Sequence, residues 1–325
     1  MATGIVSTSA FLLGFEAIAR VLLVANGLFF VALVGLTVLR VVRFVDRVRA
    51  DFLSHERGAG FFTTVAGSCV LGTQLALIQG SYGIAIALWW LGLALWLFLI
   101  YGFLAAVMAA KSKPSLEKGI NGGWLVGVVA TQSVSVLATV LWTSYASGST
   151  GLLFLSLCFS LAGGVLYLIL ITILFYRLAF FSLPPESLSP LSWIAMGAAA
   201  ISTLSGARLD AASSQSPLLG ELLPFLQGMT LLFWATATWW IPLLLALGVW
   251  RHGVRRHPVR YEPQYWGMVF PLGMYTAATV MVSQATGLDF LLWIHRVSFW
   301  IALAAWVIVF VGMLMSIVNA ARRSR

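Results

Sequence analysis

The sequence predicts an all-α integral membrane protein: ten transmembrane helices built as five helical hairpins. Three observations predict it. Of the 325 residues, 61% are hydrophobic and only 9% charged, with a mean hydropathy of +0.98. So few charges cannot clothe a water-soluble domain of this size. Apolar runs recur along the chain, and one bilayer crossing takes about 20 helical residues. Basic residues gather after every second run. Backbone polar groups must be satisfied within lipid, so helices are the expected spanning form; the alternating strands of a membrane barrel are absent.

The apolar segments lie at about 1–15, 17–39, 60–79, 83–110, 120–143, 151–176, 189–207, 221–250, 264–287 and 289–318, forming a single transmembrane domain over 1–325. The first pair turns at Glu16 and Arg20, which stand four apart and are expected to pair. It ends in Arg40, Arg43, Arg47, Arg49 and Arg57. The second pair ends in Lys111, Lys113 and Lys118, the third in Arg177, the fourth in Arg251, Arg255, Arg256 and Arg260, and the fifth in Arg322, Arg323 and Arg325. Only Arg20, Arg208 and Arg296 fall on the other side. Short loops rich in Lys and Arg stay in the cytoplasm. Both termini are therefore expected in the cytoplasm, in a multi-pass protein of the inner (plasma) membrane. The net charge of +9 then reflects topology and contact with the lipid bilayer, with no nucleic-acid partner.

Odd and even segments differ. The third reads "GFFTTVAGSCVLGTQLAL", the fifth "NGGWLVGVVATQSVSVLATVLW", the seventh "PLSWIAMGAAAISTLSGA" and the ninth "QYWGMVFPLGMYTAATVMVSQATG". Gly, Ser, Thr, Asn and Gln make up about a third or more of each. Even segments such as "FWIALAAWVIVFVGMLMSIV" hold far fewer. Aromatics stand near the start of four polar segments: Phe61 and Phe62, Trp124, Trp193 and Trp266. Bulky apolar helices suit lipid, whereas small polar ones suit close packing or the wall of a watery passage. The alternation favours the passage: an inner ring of five odd helices forming a pore, within an outer ring of five even ones.

The ninth segment contains "YWGMVFPLGMYTAAT", residues 265–279. Pro271 lacks an N–H and clashes one turn back, so it is expected to bend or break the helix near Gly267. Gly267 and Gly273 flank it. Phe270 sits at the bend. Its ring either packs beside a structural kink or projects into the passage, where an apolar constriction excludes water and ions.

Three stretches carry a resemblance to a known family: "RYEPQYWGMVFPLGMYTAAT" in the ninth helix, "MATGIVS" at 1–7 and "LPPESLSPLSWIAMGAAAISTLSGARL" at 183–209. They resemble the family that includes the slow anion channels of plant guard cells, bacterial tellurite-resistance and C4-dicarboxylate transporters, and fungal malate permeases and sulfite exporters. The bacterial branch is the most similar. The resemblance implies ten helices around a five-helix pore, commonly a homotrimer with one pore per subunit. It implies small anions as substrates (chloride, nitrate, sulfite or a dicarboxylate) and a Phe on the ninth helix that plugs the pore. Phe270 matches that position, which makes Phe270 and Pro271 the expected gate. Relatives carry residues ahead of the first motif, whereas Met1 falls inside it. The first segment of about 15 residues reaches about 22 Å, short of a core of about 30 Å, as a start assigned too late would give. Relatives often kink several pore helices with proline. Here Gly67, Gly127 and Gly197 are expected to permit bends instead.

No Lys or Arg lies at mid-span in an odd segment. A passage of hydroxyl and backbone dipoles with positive charge at its mouth binds anions weakly and releases them quickly. Candidate lining or hinge residues are Gly4, Ser7, Thr64, Gly67, Ser68, Gly127, Thr131, Ser135, Gly197, Ser202, Gly267, Gly273, Thr276 and Thr279. Arg208 either draws anions to the external mouth or pairs with Asp210. In the tenth segment Arg296 either snorkels or pairs with Asp289, and His295 is a candidate for proton coupling. Channel and proton-coupled C4-dicarboxylate or sulfite carrier both remain open.

An enzyme is not expected. There is no H-E-x-x-H, no C-x-x-C and no helical His pair for haem, hence no expected metal or cofactor. Cys69 and Cys158 lie in apolar runs and read as small buried hydrophobes. No basic region precedes the first apolar run, so no cleavable signal is expected.

Overall fold

The structure, a computed structural model, describes residues 1–323 of the chain. Arg325, counted above in the last basic cluster, lies outside the described residues. Among the described residues every regular element is helical. We number the long helices α1 (Ala2–Leu12), α2 (Glu16–Arg43), α3 (Thr63–Gln74), α4 (Tyr82–Ala109), α5 (Val126–Ser144), α6 (Thr150–Phe180), α7 (Ile194–Ala212), α8 (Leu223–Val249), α9 (Trp266–Thr286) and α10 (Leu291–Arg323). Short 3₁₀ turns lead into α3, α5, α7 and α9, and single π turns end α3 and α8.

Eight of the described spans are long and apolar enough to cross a membrane. α1 has 11 residues and is too short. α7 is also outside the eight; it carries Arg208 and Asp210. Gly14, Gly80 and Gly287 take left-handed φ values of +80°, +66° and +67°. They turn α1 into α2, α3 into α4 and α9 into α10, a conformation that glycine adopts without a side-chain clash.

α1 packs on α3, α3 on α5, α5 on α7, α7 on α9, and α9 on α1. Each even-numbered helix packs on its predecessor and on the next odd-numbered helix: α2 on α1 and α3, α4 on α3 and α5, α6 on α5 and α7, α8 on α7 and α9, α10 on α9 and α1. Burial follows the same division. The three odd-numbered spans among the eight are 61% to 94% buried, and the five even-numbered ones 11% to 44%. Cys69 is buried, as expected; Cys158, on α6, is exposed. It stands on an even helix, whose apolar character reflects exposure to lipid.

Close approach needs small residues. A Cβ on Gly4 would stand 2.6 Å from Val70, and one on Gly72 2.6 Å from Leu137. One on Gly197 would stand 2.7 Å from Pro271 Cγ, and one on Gly273 2.9 Å from Ile5. These four contacts seat α1 on α3, α3 on α5, α7 on α9 and α9 on α1.

The basic side is tied by ion pairs and indole bonds. Arg40 and Arg57 both pair with Asp51, the latter at 3.0 Å. The Trp124 indole donates to the carbonyl oxygens of His55 (2.8 Å) and Gly119 (3.1 Å). At the opposite end Glu16 and Arg20 pair at 3.4 Å, both exposed.

Candidate functional site

A small cavity lies where the five odd-numbered helices meet. It is lined by Ile5 and Thr8 of α1, Cys69, Val70 and Thr73 of α3, Ser133 and Val136 of α5, Ile201, Leu204 and Arg208 of α7, and Met274 of α9. About 20 Å³ is open to a water centre, roughly the room of one water. No carboxylate lines it.

Its polar groups are hydroxyls and one guanidinium. Thr8 donates to the Gly4 carbonyl oxygen at 3.1 Å, Thr73 to Cys69 at 2.9 Å and Ser133 to Val129 at 2.7 Å. Each hydroxyl hydrogen thus satisfies its own helix, a common habit of Ser and Thr in apolar surroundings. Arg208 is partly buried, and its Nε is buried without an acceptor. Asp210, the partner that the sequence offered, lies against Gln227 instead. No ion pair to Arg208 forms among the described residues. The cavity is therefore cationic and uncompensated.

Phe270 is 1% exposed, among the largest fully buried side chains. It precedes Met274 by four residues and so shares its helix face, about 6 Å nearer the basic end. α9 stays helical through Pro271. The proline does not break the helix. Its ring fits where Gly197 leaves room on α7, so the neighbouring helix accommodates it.

The other predicted residues divide. A Cβ on Gly267 would stand 2.9 Å from Leu191, a packing contact; one on Gly67 would meet nothing within 4 Å, and one on Gly127 only the Phe62 ring at 3.7 Å. Most of the predicted hydroxyls bond to even-numbered helices or to their own. Ser7 donates to Ala19 of α2 at 2.7 Å. Thr131 accepts from Trp96 of α4 at 2.8 Å. Ser135 joins Ser156 of α6 and Ser205 of α7, at 3.0 and 2.8 Å. Ser202 accepts from Gln132 at 3.1 Å. Thr276 donates to Ser298 of α10 at 3.0 Å, and Thr279 accepts from Trp234 of α8 at 3.0 Å. Thr64 and Ser68 bond within their own segment. The cavity takes Thr8, Thr73 and Ser133 instead, which the sequence reading passed over. Thr8 directly follows Ser7, and one residue turns a helix by about 100°.

His295 is buried, with Nδ1 unpartnered, and is not among the cavity-lining residues; Arg296 is exposed and makes no pair with Asp289. Among the described residues no group of three or more His, Cys, Asp and Glu is placed to hold a metal.

Eight long apolar helices, packed about a cavity lined by one guanidinium and no carboxylate, define a multi-pass membrane protein. Comparison with known proteins agrees. The family described as "Voltage-dependent anion channel" matches residues 1–314, and the chain belongs to it. An uncharacterized membrane protein of Mycobacterium tuberculosis is 37% identical over 49% of this chain and 80% of its own. An uncharacterized transporter of Methanocaldococcus jannaschii is 26% identical over 86% of this chain and 80% of its own. A sulfite efflux pump of Trichophyton rubrum is 22% identical over 83% of this chain and 75% of its own. The family is thus one of transporters and channels rather than enzymes.

Proposed function

We propose that the protein passes small anions across the plasma membrane through a central pore. The five odd-numbered helices are its inner ring, the even-numbered ones its lipid-facing outer ring, and Phe270, braced by Pro271, its gate. The observation that carries this reading is Arg208. An unpaired guanidinium faces a cavity to which all five odd-numbered helices contribute and no carboxylate does. A partly buried cation without a counter-charge is costly, and a passing anion offsets that cost. Thr8, Thr73 and Ser133 add weak dipoles, which suit rapid release. Arg208 guards the external mouth, the basic loops and both termini face the cytoplasm, and the assembly is a homotrimer with one pore per subunit.

Passive conduction is the favoured mode, because the cavity lining holds no acid and no histidine to carry a proton. The fungal relative, a sulfite efflux pump, supports sulfite as one of the anions to test. Planar-bilayer currents of wild type and Phe270→Ala in chloride, nitrate, sulfite and malate test the reading. Removing the ring is expected to raise the current by at least about tenfold, a barrier lowered by about 1.4 kcal/mol. No current from either form, together with malate or sulfite uptake that follows a proton gradient, would make the protein a carrier.

A further inference from the structure

A second, larger cavity lies at the basic end of the molecule, between the C-terminal end of α8 and the starts of α7 and α9. It measures about 540 Å³, within the size range of about 300–1,000 Å³ of small-molecule sites. Its walls are mostly apolar: Trp193, Leu244, Leu247, Val249 and Met268 among them. One charged group stands in this wall. Arg251 is 6% exposed, and its Nε is buried with no acceptor. No carboxylate lines the cavity. No carboxylate elsewhere pairs with Arg251 among the described residues. The π turn Trp250–Val254 closes α8 here, and Arg251 falls within it.

A cation this deeply buried needs an anion. Apolar walls around it need apolar atoms. The cavity lies at one end of the span Leu223–Val254, where Leu245 and Val249 are exposed on the outer face of α8. Arg255, Arg256 and Arg260 beside it are exposed and add positive potential, which draws anionic lipid to a membrane surface. We infer that this cavity binds an anionic phospholipid, its phosphate on Arg251 and its first methylenes against Leu244, Leu245 and Val249. A free phosphate would satisfy the arginine but leave the apolar walls unfilled.

Native mass spectrometry of the purified protein in detergent tests this, with phosphatidylglycerol, phosphatidylcholine and soluble glycerol phosphate as probes. Wild type is expected to bind the first phosphatidylglycerol about tenfold more tightly than phosphatidylcholine, as one charge-assisted contact allows, and to hold glycerol phosphate weakly. Arg251→Gln is expected to remove that preference. Gly248→Leu keeps the arginine and fills the cavity from a position where an added Cβ meets nothing within 4 Å. It is expected to remove the preference too, which keeps the test open if Arg251→Gln does not fold. Equal binding of both lipids to wild type, a preference that survives both substitutions, or glycerol phosphate binding as tightly as the lipid would each overturn the inference.

Discussion

The spans Gly122–Ser144 and Leu291–Arg322 both read as membrane helices, yet 94% of the first is buried and 11% of the second. The buried one is the less apolar, with mean hydropathy 1.8 against 2.7. In water the order would be reversed. Lipid is as apolar as leucine, so no hydrophobic force draws bulky side chains inward. What gathers at the centre is what packs closely or bonds across helices: Gly, Ala, Ser, Thr and Gln. The difference between these two regions explains why every second segment could be read as polar.

Substitutions in the two sets should differ in the same sense. The largest stability effect is expected at Gly197. A side chain there meets Pro271 backbone and ring atoms at 2.7–3.1 Å, so Gly197→Leu should destabilise by about 3 kcal/mol, at the upper end of overpacking. Gly228→Leu on α8 meets nothing within 4 Å and should melt with wild type; thermal melts in one detergent compare them. Gln132→Leu should cost less, about 1–2 kcal/mol, as an interhelical polar bond in a membrane does. It removes the bonds to Ser160 and Ser202, at 3.0 and 3.1 Å. Trp96→Phe loses only the indole bond to Thr131, and about 0.6 kcal/mol is expected from the same melts. Equal losses at Gly197 and Gly228 would break the distinction between the sets.

The alternation of polar and apolar segments was legible because lipid selects side chains by whole helix faces. The basic clusters were legible because charge marks the ends of spans. Orientation within a helix was not. Ser7 and Thr8 are adjacent and chemically alike, yet Ser7 bonds to α2 while Thr8 lines the cavity. Both are buried, so burial does not tell them apart. Pro271 signalled a break, but Gly197, far away in sequence, supplies the space that lets α9 continue as a helix. Arg208 was visible as a charge on the unexpected side; its lack of a partner required the fold. Arg251 was counted among four basic residues of one loop, which hid that it alone of them is buried.

On the proposed reading, anions cross beside Phe270 and Arg208. The most direct test is the reversal potential of Phe270→Ala under a potassium chloride gradient, alone and combined with Arg208→Glu. The account predicts reversal close to the chloride equilibrium potential for Phe270→Ala, and a shift toward the potassium value when Arg208 becomes acidic. Reversal at the potassium value in Phe270→Ala, or a selectivity indifferent to the charge at position 208, would contradict it.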